Sequence, residues 1–276
     1  MTNSSLYTKF LIIFVTAIAC IIIGVNYQNN LQTQPIAQPN SSIENIQNQV
    51  ESPPISTIKS SPEEPAAYKT TLAFEQYQPR YTTTTIHPSN YGDRYSTDVN
   101  GNALNNLPIV VLHETVDSVM SAINTFQTPH DDDSKQVSYH ALISLDGTII
   151  YLLPSDKRAF GAGNSVFEST SGIETVQTNP NLPPSVNNFA YHISLETPPD
   201  GRGTYNQNYH SGYTEAQYKS LAWLLALSDI PDNRITTHKN VDRSGQKIDP
   251  RSFDFDKFLT ILSTYRQPSE DKISAR

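Results

Sequence analysis

The chain has 276 residues, 37% hydrophobic and 17% charged, with a formal net charge of −8. That length admits one sizeable domain or two small ones. The acidic balance and the lack of any Lys/Arg cluster argue against a nucleic-acid partner, and a single cysteine, Cys20, excludes an intrachain disulfide.

The first element is an uncharged apolar run from Phe10 to Val25, preceded by Lys9. As a helix it would span roughly 24 Å, short of the ~30 Å hydrocarbon core. It fits either a secretory signal or an uncleaved signal anchor completed by its flanks, assigned to residues 1–25. AlaIleAla before Cys20 also resembles a lipoprotein box, although the apolar run continues beyond it. No Lys or Arg stands between Val25 and Lys59. The positive-inside bias therefore puts the rest of the chain in a periplasmic or extracytoplasmic space, tethered to the membrane if the run is retained. Residues 26–73, rich in Gln, Asn, Ser and Pro, read as a disordered linker that gives reach to a domain beyond it.

From Phe74 the pattern is that of a folded domain, expected over 74–267 with a polar tail at 268–276. Pro108 to His113 is a continuous apolar run, as in a strand buried on both faces. Val116 to Phe126 carries apolar residues at helical spacing. Val137 to Leu145, AspGly, then Thr148 to Leu153 reads as a β-hairpin. Phe189 to Glu196 alternates as a strand, with His192, Ser194 and Glu196 on one face and Tyr191, Ile193 and Leu195 on the other. Thr214 and Gln217 form a capping box before an apolar helix. A short strand over Ile235–His238 and a helix over Asp254–Tyr265 complete the set. The expected fold is a single α/β domain with a central mixed sheet flanked by helices.

Two residue types suited to a catalytic zinc site stand close together near the end of the domain, His238 and Asp249, with Lys247 two positions before the carboxylate. In an extended segment, positions i and i+2 point the same way, so the ammonium and the carboxylate would face one cleft. A surface ion pair is the plain alternative. His113, closing the first buried strand, is the candidate third ligand. His87, His130 and His210 sit in polar loop contexts and read as surface histidines.

Several segments then point to a family. VLHET at 111–115, SYHALISLDGTI at 138–149, FGAG at 160–163, ISLE at 193–196, YTEAQY at 213–218 and QKIDP at 246–250 occur in order, after HPSNYGDR at 87–94. In this the chain resembles, over residues 75–265, the zinc-dependent N-acetylmuramoyl-L-alanine amidases, whose fold is shared with phage amidase lysozymes and peptidoglycan-recognition proteins. The resemblance implies His113, His238 and Asp249 as Zn2+ ligands and Glu196 as general base. It also implies Lys247 as transition-state stabiliser, Tyr139 as a further catalytic residue, and peptidoglycan or muropeptides as substrate. His140, beside Tyr139, would point to the opposite face and serve packing. Five positions depart from the family pattern: Glu114 where many relatives have a second His, Phe160 and Gly161 where TrpHis is common, Ser194 where a small Gly is usual, and Arg251 where Gly is frequent. The implied activity is hydrolysis of the amide between the muramic acid lactyl group and L-alanine. The alternative is a non-catalytic peptidoglycan-binding module of the same fold.

Overall fold

The computed structural model describes residues 68–204 and 207–269. The expected membrane segment at 1–25, nearly all of the expected linker, and residues 270–276 of the tail lie outside the described residues. Among those described, no helix is long and apolar enough to cross a membrane.

The first elements are β1 (Tyr68–Thr70), α1 (Leu72–Gln76), β2 (Tyr81–Thr83) and β3 (Tyr91–Asp93). Then come β4 (Ile109–Glu114), α2 (Val119–Gln127), β5 (Ala141–Ile143), β6 (Ile149–Tyr151) and β7 (Lys157–Ala159). The hairpin β8 (Phe167–Ser169) and β9 (Gly172–Glu174) precedes β10 (Ala190–Leu195) and α3 (Glu215–Ala226). The last elements are β11 (Ile235–Thr237), α4 (His238–Val241), α5 (Phe255–Tyr265) and β12 (Arg266–Pro268).

Six strands form one mixed sheet in the order β11-β4-β10-β5-β6-β2. The first four run parallel, β6 is antiparallel to β5, and β2 is parallel to β6. Every residue of β4 is buried, as expected for a parallel strand covered on both faces. Its odd and even positions enter different cores. Val110 and Leu112 pack beneath α3 and α5 with Leu221, Leu224, Phe258 and Leu262. Ile109 and Val111 face Ala162, Phe167, Val186 and Val241. On that same side α2 covers Leu142 and Ile150 with Ile123 and Phe126.

Local chemistry sets the boundaries. Thr214 Oγ1 accepts from Gln217 N–H while Gln217 Oε1 accepts from Thr214 N–H, so the capping box is complete. Gln217 Nε2 also donates to the carbonyls of Ile143 and Glu196, tying α3 to the ends of two central strands. At the β5–β6 turn Gly147 has φ +81, and a Cβ there would lie 2.9 Å from the Ala216 carbonyl oxygen. Only glycine suits that position.

Three elements differ from expectation. Helix α2 starts at Val119, because Val116 takes a left-handed φ of 62° and Ser118 is the N-cap. A β-branched residue in that region is strained, so the helix cannot include it. The hairpin strands are shorter than the alternation suggests, and Tyr139 precedes β5 rather than lying in it. Tyr68–Thr70 pairs with Arg266–Pro268, placing ordered chain upstream of Phe74.

Candidate metal centre and its cleft

Three chain segments meet at the C-terminal end of β4. His113 ends the odd-numbered face of the strand and is fully buried. His238 is the first residue of α4, whose N-terminus is capped by Thr237. Asp249 follows a turn shaped by Asp242, whose carboxylate accepts the N–H groups of Ser244, Gln246 and Lys247. One ligand-type atom from each of His113, His238 and Asp249 lies within 4.8 Å of the others. His238 Nδ1 is 3.0 Å from Asp249 Oδ1, and His113 Nδ1 is 3.3 Å from Oδ2.

This donor set fits a zinc ion. Tetrahedral bonds of about 2.0–2.1 Å put neighbouring ligand atoms roughly 3.3 Å apart, close to the two distances from the imidazole nitrogens to the Asp249 carboxylate. His113 Nδ1 is buried without a hydrogen-bond partner, a state that costs about 1–3 kcal/mol unless something meets the nitrogen. Burial, with the charge of His238 adding to it, pushes the His113 imidazole down to about 4. It is neutral at pH 7, as a ligand must be. Burial alone would raise the Asp249 carboxyl, but the imidazoles of His113 and His238 beside it outweigh that and hold the group well below the usual range.

The sequence pattern did not single out the residue that supports His113. His113 Nε2 lies 2.9 Å from His192 Nδ1, because β10 and β4 run in parallel register with Ser194 opposite His113. The polar face of β10 is therefore not solvated: His192 and Ser194 are fully buried. His192 fits there because residue 161 is glycine, whose Cβ, if present, would lie 2.4 Å from the imidazole Nδ1. The Ser194 hydroxyl has no hydrogen-bond partner. His140 accepts the backbone N–H of His192 at Nδ1 and lies 3.1 Å from the Lys157 carbonyl through Nε2. It is a buried support for β10, in keeping with the packing role expected of it.

Tyr139 stacks on His113 with ring centroids 4.4 Å apart. Burial, then the charges of Asp249 and Glu114, raise its phenol well above the ordinary range, so at pH 7 it keeps its proton and can donate it in a hydrogen bond. Tyr139, Phe160, Arg158, His238 and Lys247 line one cleft of about 590 Å3. Lys247 is exposed, and its charge bears on His113.

Glu196 is placed differently. Its Oε1 accepts from Val119 N–H and from Arg202, and its Oε2 accepts from Leu145 N–H. The carboxylate thus clasps the start of α2, the β5–β6 turn and the loop after β10. His210 is not a surface histidine: it is buried, with Nε2 2.9 Å from Glu114.

Residues 104–252 match the family model described as N-acetylmuramoyl-L-alanine amidase. The 1,6-anhydro-N-acetylmuramyl-L-alanine amidase AmpD of Salmonella typhimurium is 32% identical over 140 residues, covering 48% of this chain and 62% of the relative. AmpD of Escherichia coli K12 is 33% identical over 133 residues, covering 46% and 60%. The chain thus spans about 60% of the length of the curated relatives it matches. A crystal structure of a selenomethionine AmpD derivative aligns at TM-score 0.43 and 25% identity, over 67% of this chain and 94% of that one. The AmiD amidase of E. coli, solved with anhydro-N-acetylmuramic acid-L-Ala-D-gamma-Glu-L-Lys, aligns at TM-score 0.44 and 18% identity, over 62% and 65%. With more than half of its length matched by the family model, the chain belongs to the N-acetylmuramoyl-L-alanine amidase family.

Proposed function

We propose that the chain is a zinc-dependent amidase that hydrolyses the bond between the muramic acid lactyl carbonyl and L-alanine in peptidoglycan or muropeptides. The observation that carries this reading is the convergence of His113, His238 and Asp249, with His238 lining a cleft together with Lys247 and Tyr139. Zinc held by the three ligands would polarise the scissile carbonyl and make water more acidic. Lys247 supplies a cation toward the oxyanion that develops on the carbonyl oxygen. Tyr139, kept neutral, offers a hydrogen-bond donor and a ring that fixes the His113 plane.

Glu196 enters the proposal as the proton carrier that the resemblance implies. That role requires one of its oxygens to leave Arg202 or a backbone N–H during the reaction. Glu196→Gln separates the two roles. A base loses about 10²–10⁴-fold in kcat with zinc retained. A pure clasp would leave kcat near normal and lower the melting temperature. The fully engaged carboxylate is the one observation favouring the alternative, a muropeptide-binding module without turnover.

The names of the AmpD relatives and the ligand of the AmiD complex make anhydromuropeptides the first substrate to try. Product mass analysis after incubating the full-length protein with muropeptides, with and without chelator, tests the proposal. One water should be consumed, giving a free lactyl carboxyl on muramic acid and a free L-alanine amine, and chelator should abolish both. Binding without either product would establish the non-catalytic alternative. We further propose an extracytoplasmic, membrane-tethered location on the apolar run Phe10–Val25. Protection of the domain from protease added outside the cytoplasmic membrane would contradict it.

A further inference from the structure

The three ligand-bearing segments are joined to one another along three sides. Two sides are backbone. Strand β11 pairs with β4, Thr237 opposite Leu112, each one residue before a ligand. The Lys239 N–H donates to the Asp249 carbonyl at 2.9 Å, joining the His238 and Asp249 segments. The third side, between the Asp249 segment and β4, is a side-chain ion pair. Arg251 Nε donates to Glu114 Oε1, one residue past His113 and two past Asp249.

Both members are almost completely buried, at 1% side-chain exposure each, and every nitrogen and oxygen of the two charged groups has a partner. Arg251 Nη1 donates to the carbonyls of Thr204 and Gln207, and Nη2 to that of Gly201. Glu114 Oε2 accepts from Tyr213 Oη and from His210 Nε2, each at 2.9 Å. The Gly212 N–H donates to His210 Nδ1, so a neutral His210 carries its proton on Nε2 and donates it to Glu114. Desolvating two charges costs several kcal/mol, and a buried ion pair is weak support for stability by itself. What it supplies here is a fixed register between two ligand segments.

We infer that Glu114 and Arg251 form a positioning pair that sets Asp249 against His113 and keeps a compensated charge behind the metal centre. The two departures from the family pattern on either side of the site are therefore partners. The inference rests on the zinc reading of His113, His238 and Asp249; neither Glu114 nor Arg251 contacts the ion.

The test compares full-length parent protein with the double variant Glu114→Leu/Arg251→Met, which removes both charges together and leaves neither unpaired. Zinc affinity is read by competition with a chromophoric chelator, ligand geometry by the visible spectrum of the Co(II) form, and folding by circular dichroism and the thermal transition. The expected result is a cooperatively folded variant that binds zinc at least about tenfold more weakly, with an altered Co(II) spectrum. A folded variant with parental zinc affinity and spectrum overturns the inference. If the double variant does not fold, Glu114→Gln, which keeps the shape and leaves the Arg251 carbonyl bonds in place, is read by the same two criteria. A parent that binds no zinc removes the metal reading itself, an outcome distinct from a parent and variant that bind alike.

Discussion

One nitrogen of His113 meets His192 and the other faces Asp249 and His238. If Nε2 donates to His192 Nδ1, Nδ1 keeps its lone pair for a ligand bond, the usual way a supporting acceptor fixes the tautomer of a metal-binding histidine. The three candidate ligands could be named from the sequence through the motifs that carry the family resemblance, and the fold brings them together. His192 was not, because its role arises only when β10 lies in register beside β4 and Gly161 leaves room for the ring. Glu114, Arg251 and His210 were hidden for the same reason: their partners are separated by 137 and 96 positions. Gly161→Ala should push the His192 ring off His113. The expected outcome is a loss of roughly 10–100-fold in zinc affinity, measured by chelator competition. Unchanged affinity would mean that His192 does not support the ligand.

Elements were most legible where a local signal terminates them. The capping box at Thr214 and Gln217 and the AspGly turn at 146–147 are both seen, because their hydrogen bonds close within four residues. The start of α2 was misplaced by three residues. Apolar spacing includes Val116, but its backbone is left-handed and its carbonyl is held by Gly203 N–H at 3.1 Å, a contact to a distant loop that no local pattern encodes. For α3, Thr214→Ala removes the cap to Gln217 N–H and the hydroxyl bond to the Leu145 carbonyl. The loss should be about 1 kcal/mol, or a fall of about 2–4 °C in Tm for a domain of this size. Thermal denaturation reads it, and an unchanged Tm would show that the cap contributes nothing here.

At the scale of the molecule, the interleaving of strands and helices announced a mixed sheet. Strand order did not follow from it, since parallel neighbours come from distant sequence. The order places β4 between β11 and β10, and the site forms at the carboxyl ends of these parallel strands, where open α/β sheets bind ligands. Two cores on one side of the sheet, one under α2 and one under the segment after β7, flank the imidazole face. The helical core on the other side surrounds Tyr213, which hydrogen-bonds Glu114. The fold thus brings the three candidate ligands together beside the cleft that His238 lines and anchors them from behind. The zinc proposal requires that His113, His238 and Asp249 hold one ion on which amide hydrolysis depends. Metal analysis of the full-length protein and its Asp249→Ala variant, with muropeptide cleavage followed on the same samples, tests this most directly. The parent should carry about one zinc per chain and cleave muropeptides, and the variant should do neither. A variant that retains zinc and cleaves at the parental rate would contradict it.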